Sequence, residues 1–304
     1  MIPPGKKKIY IGVILAVVAA IIWSGNFIVA RSVSGAVPPI SLNFYRWLTA
    51  SILLFPFVIK GFYKDKQVIY SNWKYLFWVS LTGIALFNTF VYVAGHYTSA
   101  INMALIGTTS SPIFATFFAA AFLKEVIRPL RVTGLVICIC GIILLLSQGS
   151  FERLIAFRFS TGDWWMLLGA LFFAIYNTMV KRKPAGLSSL NFLFICFSLG
   201  TLILLPFYVW ELTNSAPVIW SSSLFGIILY LGLGTSLISY LCWNQSIARL
   251  GPSRTALFGN LIPIFSSIEA VLILNERIRL IHVLSGLLVI TGLVIANLKK
   301  ANSA

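Results

Sequence analysis

The sequence predicts an all-α polytopic membrane protein, with ten transmembrane helices arranged as two inverted five-helix repeats around a central cavity. Three observations carry this. Apolar residues make up 59 % of the 304, charged residues only 10 %, and the mean hydropathy is +0.94; a soluble domain is roughly one quarter charged. Ten apolar segments are each long enough for a hydrocarbon layer about 30 Å thick, which takes roughly 20 helical residues. The second half of the chain also repeats the first, which divides it into residues 1–150 and 151–304.

The repeat is read residue by residue at an offset of about 151. Asn26, Val29 and Arg31 recur as Asn177, Val180 and Arg182. Gly83 recurs as Gly234, and Pro112-Ile113-Phe114 as Pro263-Ile264-Phe265. Glu125, Arg128, Val132 and Gly141 recur as Glu276, Arg279, Val283 and Gly292. A duplicated apolar half is the mark of a transporter built from two related bundles.

The spans follow in order, with ends uncertain by a few residues. Span 1 (9–32) follows Lys6-Lys7-Lys8 and is too long for the apolar core of a signal peptide. Span 2 (39–59) begins after the Gly35–Pro39 turn, holds Arg46 and stops at Lys60. Span 3 (73–94) opens on Trp73-Lys74. Span 4 (100–122) carries Thr108 to Ser111 ahead of Pro112 and ends at Lys124. Span 5 (129–147) starts at Pro129. The longest polar link, Ser147 to Gly162, joins the halves. Spans 6 (163–181) and 7 (189–210) flank the stretch Lys181 to Gly186. Span 8 (224–246) runs towards Gly251-Pro252, beyond which lie spans 9 (254–273) and 10 (279–298).

Charge sets the orientation. With the amino terminus cytoplasmic, 17 of the 23 basic residues fall inside, five outside (Arg31, Arg153, Arg158, Arg277, Arg279), and Arg46 within a span. The positive-inside rule therefore places both termini in the cytoplasm. Five spans per half is an odd number, so the second half enters the bilayer in the opposite sense. The net charge of +16 sits between apolar runs and forms no stripe for nucleic acid. The four cysteines lie inside apolar runs without metal-ligand spacing. No zinc-type histidine pair, phosphate-binding glycine loop or nucleophile elbow is present. The expectation is a non-enzyme without cofactor, drawing on ion or solute gradients.

Several intramembrane residues stand out. Asn26 and Asn177 are amides on equivalent helices, and an unpaired amide in hydrocarbon costs several kcal/mol; each either glues helices or meets solute. Asn260 is a weaker candidate of the same kind. Trp23, Tyr92, Tyr176 and Trp243 lie away from loop ends, and aromatic walls suit flat or amphipathic solutes. Pro112 and Pro263 each remove a mid-span backbone donor and are candidate hinges. Glu269 is an ionisable group within span 9, where pairing, water or proton coupling would account for it. It lies roughly 9 Å, and Arg46 roughly 10 Å, below the outer ends of their helices at about 1.5 Å per residue, so a buried Arg46–Glu269 pair is geometrically open.

Trp23-Ser24-Gly25-Asn26-Phe27, Arg46 and the paired late-span runs Pro112 to Arg128 and Pro263 to Arg279 resemble the drug/metabolite transporter superfamily, and within it the EamA-type ten-helix transporters. The resemblance implies a basket of ten helices whose cavity is lined by spans 1, 3, 4, 6, 8 and 9, and transport of small metabolites, often outward. Lys124 and Asn275 stand where relatives commonly carry glycine before the Glu, and Glu269 departs from the usual apolar or small residue. The expected function is alternating-access secondary transport, as an exporter of amino acids or related amphipathic compounds across a bacterial inner membrane. Its partners would be the small-molecule substrate, membrane lipid and protons. The competing readings are an uptake permease or exchanger for a nucleotide-type metabolite and, from another class, a membrane-embedded enzyme.

Overall fold

The structure is a computed structural model, and it describes residues 4–123, 129–152, 159–180, 182–250, 255 and 258–297. Those residues form helices and connecting turns, with no strand among them. The main helical stretches among the described residues are, in chain order, α1 Pro4–Ser32, α2 Pro39–Ser71, α3 Trp73–Gly95, α4 Ala100–Leu123, α5 Pro129–Leu146, α6 Thr161–Val180, α7 Ser189–Asn214, α8 Ser222–Leu250, α9 Gly259–Leu274 and α10 Leu280–Asn297.

Eight of these, α1 to α8, are long and apolar enough to cross a membrane; α9 and α10 are apolar but shorter. Among the described residues α1 to α8 thus meet the expectation of membrane spans. Part of the segment expected as span 9, including Arg254, lies outside the described residues. Its helix stops at Leu274 because Asn275 takes a left-handed conformation (φ 55°), which an asparagine tolerates and which ends a helix. The expected span 2, 39–59, coincides with the apolar part of a longer helix, which continues through a charged stretch to Ser71.

Two helices change winding in midcourse, which the hydropathy pattern does not show. Leu81–Leu86 in α3 and Tyr230–Ile238 in α8 are π-helical. Gly83 and Gly234, equivalent in the repeat, lie within these two segments. A π-turn takes the carbonyls out of their α-register, and the carbonyls of Ile84 and Ala85 accept hydrogen bonds from Asn43 Nδ2 at 3.2 and 3.0 Å.

Close contacts define the two ends of the bundle. At the distal end, away from the amino terminus, Thr98 Oγ1 donates to Asp163 at 3.0 Å, and the Glu276 carboxylate accepts the amides of Ala100 and Ile101. At the proximal end, Gly12 lies against Leu250 and Arg249, and Asp65 accepts from Asn191. Helix α2 packs on α7, α5 on α10, and α4 on α9. Helix α1 packs on α8 and α9, just as α6 packs on α3 and α4. Exchanging the two halves therefore maps each of these pairings onto another or onto itself.

The halves are not fully alike. Helix α1 also packs on α3 and α4, whereas the corresponding contacts of α6 with α8 and α9 are slight or absent among the described residues. The larger buried core joins the distal parts of α1, α3 and α4 to Met166, Leu231 and Ala270, so the interior is filled at that end. A second core holds α2, α3, α6 and α7 together.

Candidate functional site

Arg46 is the hub of the interior. It sits on α2, is 5 % exposed, and meets side chains from three other helices. Nη1 donates to Asn26 Oδ1 (2.8 Å), Asn88 Oδ1 (2.8 Å) and the Tyr92 hydroxyl (2.9 Å); Nε donates to Ser236 Oγ (3.1 Å). Tyr92 in turn donates to Asn26 Oδ1 at 3.2 Å. The indole of Trp47 lies 4.6 Å from the guanidinium carbon, a cation–π distance. A guanidinium stays charged in a protein, yet every one of these partners is neutral. Among the described residues no carboxylate stands within salt-bridge distance of Arg46, and no hydrogen bond reaches its Nη2.

Ser236 reaches Arg46 because of the π-segment in α8. Its hydroxyl also donates five residues back, to the carbonyl of Leu231 at 2.9 Å, as Ser239 does to Gly234 at 3.0 Å. Those are the carbonyls that a π-turn presents to a side chain.

Glu269 lies apart from this hub. Ser24 Oγ donates to Glu269 Oε1 at 2.7 Å, while Oε2 is buried with no partner. Arg46 and Glu269 thus take different partners and are not hydrogen-bonded to each other. The Tyr230 hydroxyl, from α8, docks on α1 beside Gly25. That hydroxyl donates to the carbonyl of Ile22 at 2.6 Å. Gly25 permits the docking, since a methyl at that position would overlap the tyrosine hydroxyl.

The expected aromatic residues fall into three places. Trp23 meets Tyr240 edge-on with centroids 5.6 Å apart and Trp243 at 5.1 Å, and its Nε1 donates to the carbonyl of Thr235 at 3.0 Å. Tyr92 belongs to the Arg46 hub. Tyr176 stacks on Phe173 and fills the space left by Gly83. Asn177, unlike Asn26, is half-buried and takes no part in the hub. Asn260 sits in a 3₁₀ turn near Trp243, with Nδ2 buried and unpartnered. Its repeat equivalent, Thr109, also has a buried hydroxyl without a partner, as do Ser110 and Ser266. Each such atom costs about 1–3 kcal/mol if left dry, so this seam of α4 and α9 is available to water or solute.

The prolines differ from one another. Pro112 lies inside the continuous helix α4. Pro263 does not interrupt a helix: it occupies the first turn of Ile262–Leu274, immediately after the 3₁₀ turn Gly259–Leu261. In a first turn its missing N–H would have had no intrahelical partner anyway, so the expected mid-helix loss of a donor is corrected for Pro263. Glu125, the expected counterpart of Glu276, lies outside the described residues.

Sequence reasoning missed Asn43, Asn88, Ser24, Ser236 and Tyr230 as members of the site. The criterion that selected Asn26, an amide in an apolar span, applies equally to Asn43 and Asn88. Nothing local singles out Ser236 or Tyr230. A separate pocket of about 860 Å³ lies at the distal end, lined by residues including Tyr97, Asn102, Asp163, Glu276, Arg279 and His282. It is distinct from the Arg46 hub.

Comparison with known proteins is consistent with this arrangement. A family profile described as the EamA-like transporter family matches residues 10–147 and again 160–298. An uncharacterized transporter of Archaeoglobus fulgidus is 26 % identical over 94 % of this chain and 97 % of its own. The uncharacterized transporter YyaM of Bacillus subtilis is 28 % identical over 91 % and 90 %. A solved crystal structure superposes with a TM-score of 0.62 at 18 % identity, covering 96 % of each chain, a likeness of fold.

Proposed function

The chain belongs to the EamA-like transporter family, and from that premise we propose that it is a secondary exporter of small organic metabolites. Amino acids or related amphipathic compounds are the proposed substrates, carried by alternating access across a bacterial inner membrane with both termini cytoplasmic. The observation that supports this best is the set of helix pairings, which exchange with one another when the two halves are swapped. Such a bundle has two near-equivalent states, one open to each side, if the halves are inverted repeats. The distal core packed among α1, α3 and α4, with slighter contacts of α6 on α8 and α9 among the described residues, fits a state closed distally and accessible proximally.

In this reading Trp23, Tyr92, Tyr176, Asn26, Asn177, Trp243 and Asn260 contact the solute, Pro112 and Pro263 mark the bending positions, and Glu269 carries the coupling proton. A single guanidinium held by neutral groups is poorly matched to a multiply charged nucleotide. Counterflow in proteoliposomes tests the proposal. Saturable exchange of a preloaded amino acid is expected, and its absence across amino acids, nucleotides and cationic drugs would remove it. For coupling, Glu269→Gln should abolish the response of transport to an imposed proton gradient; an unchanged response would exclude Glu269 as the carrier.

A further inference from the structure

The distal ends of α1 and α3 meet backbone to backbone, and a glycine makes that approach possible. A methyl at Gly95 would overlap the carbonyl of Ala30 and crowd the amide of Arg31. With main chain on both sides no side chain can turn away, so the helices themselves would have to part. Beside this contact Arg31 Nη1 donates to the carbonyl of Gly95 at 3.0 Å. That carbonyl is the last of α3 and has no later turn of its own helix to serve it. A guanidinium also suits the negative end of a helix dipole. Ala30 and Ala94, next to the contact, are buried in the distal core together with Leu105 of α4. The seam therefore closes the distal end along the packing of α1 on α3 and α4.

The offset of 151 that pairs Gly83 with Gly234 also pairs Arg31 with Arg182 and Gly95 with Ser246. The arginine recurs and the glycine does not. Ser246 lies near the proximal end of α8, fully buried, with its Oγ 3.1 Å from Thr255 Oγ1. The proximal counterpart of the seam thus carries a Cβ and an engaged hydroxyl where the distal one carries neither. The contact of α6 with α8 is correspondingly slight or absent among the described residues, while α1 packs on α3.

We propose that Arg31 and Gly95 form the distal gate, and that Ser246 opposes the matching closure at the proximal end, so that the protein rests closed distally. Opening the gate parts α1 from α3 and breaks the bond from Arg31 to the Gly95 carbonyl. Closing the proximal end brings the end of α6 towards α8, where the Ser246 side chain holds the two backbones apart. The inference rests on the alternating-access reading for the purpose of the gate; the closure itself needs no solute and no proton.

Maleimide labelling of the full chain in membranes, in a cysteine-free background, reads the gate with no solute present. Leu105→Cys, in the distal core, is treated with an impermeant reagent from the distal side. Gly95→Ala should raise its labelling rate by about tenfold or more, as a shift of a two-state equilibrium does, and Arg31→Gln should raise it by less. Ser246→Gly should raise it too, although it alters the opposite end, because it removes what opposes proximal closure. Mere loosening of the distal seam would not produce that response at a distance. An unchanged rate in Gly95→Ala would overturn the gate, and an unchanged rate in Ser246→Gly would overturn the bias between the ends. Should Gly95→Ala fail to fold, Arg31→Gln decides the gate by the same criterion. Labelling that responds as stated, without counterflow of any solute, would leave the gate standing and remove the transport reading. Counterflow with unresponsive labelling would remove only the gate.

Discussion

Asn43 shows how one amide can license an irregular helix. Its Nδ2 serves the carbonyls of Ile84 and Ala85 and the hydroxyl of Thr89 from a fully buried position. Removing it strands carbonyls where water is scarce, at about 1–3 kcal/mol. Asn43→Leu should accordingly lower the thermal unfolding temperature in detergent, whereas Leu48→Ile on the exposed apolar face should change it far less. Gly25 makes the complementary point about space. Gly25→Ala forces its methyl onto the Tyr230 hydroxyl, an overpacking cost of about 1–3 kcal/mol. If the hydroxyl is what collides, Tyr230→Phe added to Gly25→Ala should restore part of the lost stability, and a double variant no better than the single would contradict that assignment. At this scale the sequence was partly legible. Asn26, Tyr92 and Arg46 were each singled out and do meet, because polar groups in an apolar helix are expensive enough to find one another. The matched depths of Arg46 and Glu269 suggested a pair that is not formed here, since depth along a helix says nothing about which way a side chain faces.

Helix ends in this protein are held by acids from other segments. Glu211 on α7 accepts the amides of Ile40 and Ser41 at the start of α2, with distances of 3.2 and 2.6 Å. Asp65 on α2 accepts the amide of Ser188 and the side chain of Asn191 at the start of α7. The two helices thus cap one another at opposite ends. Glu276, in the connection between α9 and α10, caps α4 at the distal end, and carboxylates suit the positive end of a helix dipole. Glu276→Gln should raise amide hydrogen exchange over residues 100–103 more than elsewhere in α4; a uniform rise along the helix would argue against a local cap. Asp65 lies beyond the apolar part of α2, and the Ser188 amide, followed by Asn191, holds its carboxyl below the usual aspartate range. A lowered acid pKa means that the unfolded state binds the proton more readily. The stabilisation is therefore complete above the ordinary aspartate pKa and disappears as pH falls through the folded-state value. Once the intrinsic pH dependence of exchange is divided out, protection at residues 188–191 should fall on acidification in the unaltered protein and stay constant over that window in Asp65→Asn. Periodicity located these helices well but could not reveal the caps, because each joins residues more than 120 positions apart.

At the scale of the molecule, the filled distal end and the slighter contacts of α6 with α8 and α9 make a directional prediction. In a cysteine-free background, Asn244→Cys, at an exposed position near the proximal end of α8, should react with a membrane-impermeant maleimide added from the side of the amino terminus. Leu105→Cys, in the distal core, should resist reagent from either side. Reaction of Leu105→Cys from the distal side would mean that this end is not closed. The same experiment reports on whether the amino terminus is cytoplasmic, as the 17-to-5 distribution of basic residues predicts.

Composition and periodicity alone determined that this chain lives in lipid, that it is helical, and that its two halves share an origin. Lipid leaves backbone groups no partner but the helix itself, so long apolar runs admit one local solution, and duplication leaves its trace in residue order. Only the tertiary structure decided where the helices change their winding, which end is filled, and that Arg46 is surrounded by neutral groups while Glu269 keeps one oxygen unpaired. Those outcomes depend on which faces of separate helices meet, a choice made by packing among distant segments that no local pattern encodes.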